Sequence, residues 1–141
     1  MIILDTNVIS DALMTPEKAP RVVEWVASLD EFHTTAITTQ EVAMGLFLLP
    51  EGRRKRHLID VADAVFRPLE EAGRVLSYEH NAAFCYAWLM EKRPKPSAGE
   101  VMDAQIGAIA LLYSATVATR NVKDFAGRGI EVFDPWTGRT H

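Results

Sequence analysis

With 141 residues, 48% of them apolar, the chain is long enough to bury one core and short for two. Its 15 Lys and Arg against 19 Asp and Glu give a formal net charge of -4, which excludes a protein that holds nucleic acid by bulk positive charge. The single cysteine, Cys85, excludes an internal disulfide or a cysteine metal cluster, and no apolar run approaches the roughly 20 residues of a membrane span. One cytoplasmic domain over residues 1–141 is expected, with no linker, no signal peptide and no membrane contact.

The first element is the apolar run Met1 to Leu4, a strand buried on both faces that ends abruptly in Asp5, Thr6 and Asn7. Val8 to Leu13 reads as a helical turn or two stopped by Thr15-Pro16. Pro20 suits the first position of a helix through Leu29, whose Val22, Val23, Trp25, Val26 and Leu29 recur at helical spacing. Phe32 to Ile37 reads as a second strand, and Thr38 to Leu49 as a helix ended by Pro50 and Gly52.

Arg53 to Leu69 is an amphipathic helix with a strongly basic start, and Gly73 separates it from a third strand, Arg74 to Ser77. A helix from Glu79 to Lys92 carries Cys85 among Phe84, Tyr86 and Trp88, where the thiol is expected to be buried and inert. After the Pro-rich stretch Arg93 to Gly99 comes the clearest helix, Glu100 to Tyr113, then strands at Val117 to Thr119 and Ile130 to Phe133. Helices alternating with short β-branched strands predict an α/β fold, a three-layer sandwich around a short, mostly parallel sheet of four or five strands. In such sheets ligands bind beyond the carboxyl ends of the strands, near a topological switch point.

Four acids fall at that kind of position, and each has a local explanation. Asp5 is a natural N-cap. Glu41 completes a capping-box pattern, Thr38-Thr39-Gln40-Glu41. Asp103 in the first turn of its helix complements the macrodipole, and Asp124 fits a cap on the short Phe125-Ala126 turn. Their conjunction is less local: all four follow a strand or open a helix, and Asp103 lies three, four and seven residues from Ile106, Gly107 and Ala110, on the packed face. Carboxylates brought together raise one another's pKa, and a divalent cation relieves the conflict. Oxygen-only ligands favour Mg²⁺, with Mn²⁺ as a substitute, over Zn²⁺.

MIILDTNVIS at the start, TTQEVAMG, MDAQIGAIA, and TRNVKDF followed by FDPW together resemble, in order and approximate spacing, the PIN domain of toxin ribonucleases of the VapBC type, over nearly the whole chain from Ile3 to Trp136. The resemblance implies a Mg²⁺-dependent endoribonuclease, the toxin of a toxin–antitoxin pair, with a single PIN domain. It implies Asp5, Glu41, Asp103 and Asp124 as catalytic acids, with Asp5 and Asp103 the foremost metal ligands. Asn7, Thr119 and Asn121 are implied as polar helpers, and Thr6 receives no role. It also suggests a homodimer and a cognate VapB-type antitoxin whose tail covers the active site.

Two departures from the family pattern are Gly107-Ala108, where two alanines are commoner, and Asp134, where Asn often precedes the final Pro. The chemistry expected is metal-assisted phosphodiester hydrolysis without a covalent enzyme intermediate, leaving a 3′-hydroxyl and a 5′-phosphate. RNA approaching an acidic pocket needs basic residues at the rim, and the candidates are Arg53, Arg54, Lys55 and Arg56, then Lys92, Arg93 and Lys95, then Arg120. Either cluster is equally well read as a solvated helix end. His33, His57, His80 and His141 are scattered and read as structural or surface groups, and Trp25, Trp88 and Trp136 as core or interface. Competing classes are another Mg²⁺-dependent α/β phosphohydrolase and a non-catalytic RNA-binding module; Asn7 stands where a phosphoreceiver domain would need a second Asp.

Overall fold

The apolar start of the chain becomes the axis of the sheet. A computed structural model, which describes residues 1–92 and 95–141, places Ile2–Leu4 (β1) with Ile3 and Leu4 fully buried. β1 pairs in parallel with Thr116–Ala118 (β4), which pairs in parallel with Val132–Asp134 (β5). On the other side of β1, a bridge from Ile3 to His33 leads to Thr34–Thr35 (β2), which pairs in parallel with Val75–Leu76 (β3). The lateral order is therefore β3-β2-β1-β4-β5. Because the chain steps away from β1 in one direction and returns on the other, the switch point lies between β1 and β4. An antiparallel strand, Arg139–Thr140 (β6), closes the edge against β5 and is an element the sequence reading does not contain.

Alternate residues of the central strands feed two cores, as a pleat requires. Ile3 and Val117 face one, with Ile106, Ile109, Phe125 and Val132; Leu4 and Ala118 face the other, with Val8, Val22, Val42 and Leu46. The helices divide in the same way. His80–Leu89 (α5), Ala98–Leu112 (α6) and Val122–Phe125 (α7) cover the first face, while Thr6–Val8 (α1), Pro20–Ala27 (α2) and Arg53–Glu71 (α4) cover the second. Ala36–Phe47 (α3) contributes Ile37 to one core and Val42 to the other. The three-layer α/β expectation holds.

Several boundaries moved, with consequences for the site. α1 continues into a π-helical stretch, Ile9–Met14, closed by Thr15 N–H donating to the Ser10 carbonyl at 3.0 Å. Wide turns of this kind re-aim side chains and recur at functional sites. α3 begins at Ala36, and its N-cap is Thr35, whose hydroxyl accepts from Thr38 N–H. The expected capping box at Thr38 to Glu41 does not form, which releases Glu41 for another purpose. The real capping box is Ser97 with Glu100. It starts α6 before Glu100, so Asp103 sits in the second turn rather than the first, and the dipole explanation for it weakens. Asp124 lies inside α7 instead of capping a turn.

The Pro-rich stretch from Arg93 to Gly99 falls partly outside the described residues, at 93–94. Cys85 is half-buried rather than buried, and Trp88 is 62% exposed, which leaves the interface half of its core-or-interface reading. Both departures from the family pattern have a packing role. A Cβ on Gly107 would stand 2.9 Å from Ile130 Cδ1, so glycine lets α6 press against the segment before β5. Asp134 Oδ1 accepts from Trp136 N–H at 2.9 Å and its Oδ2 from the Thr137 hydroxyl at 2.8 Å, anchoring the turn between β5 and β6.

Candidate active site

The switch point is occupied by Asp5. Its backbone continues the ladder, donating from N–H to the Ala118 carbonyl at 3.1 Å, so the side chain emerges where β1 ends beside β4. Three groups hold the carboxylate. Thr6 N–H donates to Oδ1 at 2.7 Å, while the Thr119 hydroxyl at 2.7 Å and Asn7 Nδ2 at 2.8 Å donate to Oδ2. Asn7 Nδ2 also reaches Thr119 Oγ1 at 2.9 Å, and that oxygen accepts from Asn121 N–H at 3.0 Å. Asp5 thus caps α1 and faces the cleft at once, with residues from β1, α1 and the end of β4 tied into one network.

The same cleft, of about 230 Å³, is lined by Asp5, Thr6, Asn7, Ser10, Asp11, Glu41, Asp103, Arg120 and Asn121. Glu41 reaches it from the second turn of α3, and its Oε1 accepts from the Thr6 hydroxyl at 2.7 Å. Asp103 enters from α6 and accepts no hydrogen bond from a described residue. Asp124 does not line the cleft, yet it stands close enough for its charge to act on Asp103. The topology thus gathers three of the four expected acids, from the end of β1, from α3 and from α6, together with Asp11, and leaves Asp124 outside the lining.

Burial and mutual repulsion set the electrostatics. Asp5, almost wholly buried, is pushed up from 3.8 to about 6, chiefly by desolvation, with the Glu41 charge adding and the hydrogen bonds from Thr119, Thr6 and Asn7 opposing. Asp103 rises to about 7, first through desolvation and then through the charges of Asp5, Asp124 and Glu41, with Arg128 opposing. Burial is the largest cause for both acids, and the charges of neighbouring carboxylates add to it. Such raised carboxylates mark functional clefts more often than structural ones.

The family model of the PIN domain matches residues 2–127. The chain belongs to the PIN domain family. It is similar to Toxin FitB of Neisseria gonorrhoeae, 38% identical over 140 residues that cover 96% of this chain and 99% of the relative. It is 33% identical over 141 residues to a VapC ribonuclease of Sinorhizobium fredii, covering 96% of this chain and 98% of the relative. Among solved structures, a FitAB complex bound to a DNA fragment superposes with a TM-score of 0.82 at 37% identity, covering 96% of each chain.

In this PIN domain the basic residues separate. Arg120 lines the acid cleft, whereas Arg53, Arg54, Lys55 and Arg56 do not; Lys55 instead pairs with Glu51 and donates to the Phe47 carbonyl at 3.0 Å. Lys92 borders a separate cleft with Trp88 and Arg128, Lys95 is exposed, and Arg93 lies outside the described residues. Asn7 and Thr119 touch Asp5 directly, while Asn121 acts through its backbone N–H. Thr6, given no role from sequence, holds both Asp5 and Glu41. Ser10 and Asp11 were also missed. They lie four residues beyond Thr6 and Asn7, a helical repeat that was available as a signal, although the π-helical turn was not.

The donor set fits a hard divalent cation. It is all oxygen, and the ionisation that burial and repulsion suppress at Asp5 and Asp103 is the ionisation a cation would restore. Among the described residues no three Asp, Glu, His or Cys side chains form a ready-made cage. Mg²⁺ is usually held by one or two carboxylates and keeps several waters, so a loose acidic cleft suits it better than it suits Zn²⁺.

Proposed function

We propose that the chain is a Mg²⁺-dependent endoribonuclease, the toxin of a toxin–antitoxin pair, working through Asp5, Glu41, Asp103 and Asp124. The observation that carries this reading is the convergence of acids from β1, α3 and α6 at the switch point, with Asp5 and Asp103 both raised. Its similarity to a protein named a VapC ribonuclease and to Toxin FitB supports the reaction and the biological role. The FitAB complex among its structural neighbours, 37% identical, supports an antitoxin partner, expected to be of the VapB type.

Asp5 and Asp103 would hold the metal, Asp5 as a ligand fixed by Thr6, Asn7 and Thr119. Glu41, held through Oε1 by Thr6, has Oε2 to orient a water toward the phosphorus. Asp124, near enough for its charge to act on Asp103, adds negative charge that would strengthen the hold on a cation. When bound, Mg²⁺ supplies Lewis-acid polarisation of a phosphate oxygen, activation of water and charge relief on the leaving oxygen. Manganese is the expected substitute.

The groove between α3 and α4, of about 470 Å³ and lined by Val42, Leu46, Phe47, Ile59, Ala62 and Phe66, offers the antitoxin an apolar seat. Phe84 and Trp88, 68% and 62% exposed and four residues apart on α5, are side chains a second copy would cover in a homodimer. The deciding experiment incubates the purified protein with labelled RNA. Cleavage requires Mg²⁺ or Mn²⁺, stops with EDTA, and is lost in Asp5→Asn and Asp103→Asn while the circular dichroism spectrum stays native. Cleavage unchanged by both substitutions refutes the assignment.

A further inference from the structure

Of the residues lining the acid cleft among those described, Arg120 is the one basic side chain, and it is held on two sides. Its Nη1 lies 3.0 Å from Asp11 Oδ2, and its guanidinium carbon stands 5.2 Å from the centroid of the Trp136 ring. The burial is asymmetric: the Asp11 side chain is 17% exposed and that of Arg120 is 52%. The ion pair therefore has a sheltered anchor and a solvent-facing head. Trp136 is itself fixed, with its N–H on Asp134 and its ring packed against the core beneath α2 and α4. The backbone of Arg120 follows Thr119, which holds Asp5, so the guanidinium is built onto the same strand end as the acids.

We propose that Asp11, Arg120 and Trp136 form a phosphate clamp, in which Arg120 binds an RNA backbone phosphate next to the scissile bond and Asp11 and Trp136 position it. The inference rests on the ribonuclease reading above. A cleft lined by Asp5, Asp11, Glu41 and Asp103 repels a polyanion, and a substrate needs at least one fixed cation at its rim. Arginine offers five N–H donors in a planar fork, and only one is engaged by Asp11, so a bidentate grip on phosphate remains open. A guanidinium already stacked on a ring and paired at one nitrogen loses less rotamer freedom on binding than a free one. Lysine could supply the charge but neither the stacking nor the fork.

The probe is a short single-stranded RNA of mixed sequence carrying a fluorescent label, bound in Mg²⁺ buffer by the full chain in the inactive Asp103→Asn background. Arg120→Gln weakens binding about tenfold and flattens the slope of log affinity against log salt by about 0.7, the share of one phosphate contact on a single strand. In the active chain, Asp11→Asn and Trp136→Leu raise KM several-fold with kcat little changed, and Trp136→Phe restores most of the loss. Combined with Arg120→Gln, neither adds a further KM effect, because both act through the arginine. An unchanged salt slope in Arg120→Gln overturns the clamp, as do Asp11 and Trp136 effects that add fully to it. A parent chain that neither binds nor cuts RNA defeats the ribonuclease reading itself, a result distinct from either.

Discussion

Asp103→Asn should make the metal-free chain more stable while abolishing its activity. Burial, together with the charges of Asp5, Asp124 and Glu41, raises the Asp103 carboxyl from 3.8 to about 7. At about 1.4 kcal/mol per pK unit, the folded state of the ionised form carries a penalty with a ceiling of about 4 kcal/mol. The side chain is only partly buried, and solvent screening brings the expected effect to about 1–2 kcal/mol. The sign follows from linkage. The folded pKa lies above the unfolded one, so the stability this group contributes is full below pH 3.8 and is lost as pH rises through about 7. Asparagine, neutral throughout, avoids that loss.

Thermal unfolding in EDTA should therefore show no gap near pH 4, a gap that opens toward pH 7, and a plateau above it at which the variant melts about 3–6 °C higher. Adding Mg²⁺ at ten times its Kd stabilises the wild type by about 1.4 kcal/mol and raises its melting point by about 4 °C, while the variant responds far less. A variant that melts below the wild type at pH 8 in EDTA would refute the idea that Asp103 is held ionised against its surroundings. Equal Mg²⁺ shifts in both proteins would remove Asp103 from the metal site.

Three other expectations follow from named contacts. Thr119→Val removes the hydroxyl that lowers the Asp5 pKa, so the acid limb of the kcat/KM profile should move to higher pH, with a stability cost of about 1–3 kcal/mol as Asp5 Oδ2 keeps Asn7 alone and Asn121 N–H loses its acceptor. Ser97→Ala breaks the capping box of α6 and should lower stability by about 1 kcal/mol, read as a shift in the urea midpoint with RNA cleavage unchanged. Phe84→Glu with Trp88→Glu places charge on the exposed face of α5, and sedimentation should then show a monomer in place of the dimer proposed above.

Periodicity and punctuation were enough for the alternation of helices and strands, because long helices dominate the fold, the amphipathic Arg53–Glu71 and the mostly apolar Ala98–Leu112. What failed was local. The strands expected at Phe32 to Ile37 and Arg74 to Ser77 exist but shrink to Thr34–Thr35 and Val75–Leu76, because their ends are set by pairing partners far along the chain. β6 is a short hairpin return whose turn depends on Asp134, a residue that reads from sequence only as an oddity before Pro135. The capping box was assigned to Thr38 because Thr35, the true cap, sits in the same run of threonines; only the helix start decides which hydroxyl is used. At the site, the four acids were legible as a set, but Thr6 was not. Its hydroxyl matters because Glu41, thirty-five residues away, arrives beside it.

These misreadings bear on why local explanations of the acids could be right and still insufficient. Asp5 is indeed the N-cap of α1, and a cap alone would use one oxygen, Oδ1, on one N–H. The Oδ2 contacts with Asn7 and Thr119 have no capping function, since α1 has no use for a hydroxyl at the end of β4. They lower the pKa of a carboxylate that burial raises, and so keep a desolvated acid near the edge of ionisation at neutral pH. Asp103 shows the complement. Without a described hydrogen-bond donor, and repelled by three acids with Arg128 opposing, its carboxyl is raised to about 7, so a further positive charge would favour its ionised form. A carboxylate held by three donors beside one held by no described donor would offer an arriving divalent cation one fixed ligand and one whose ionised form it favours.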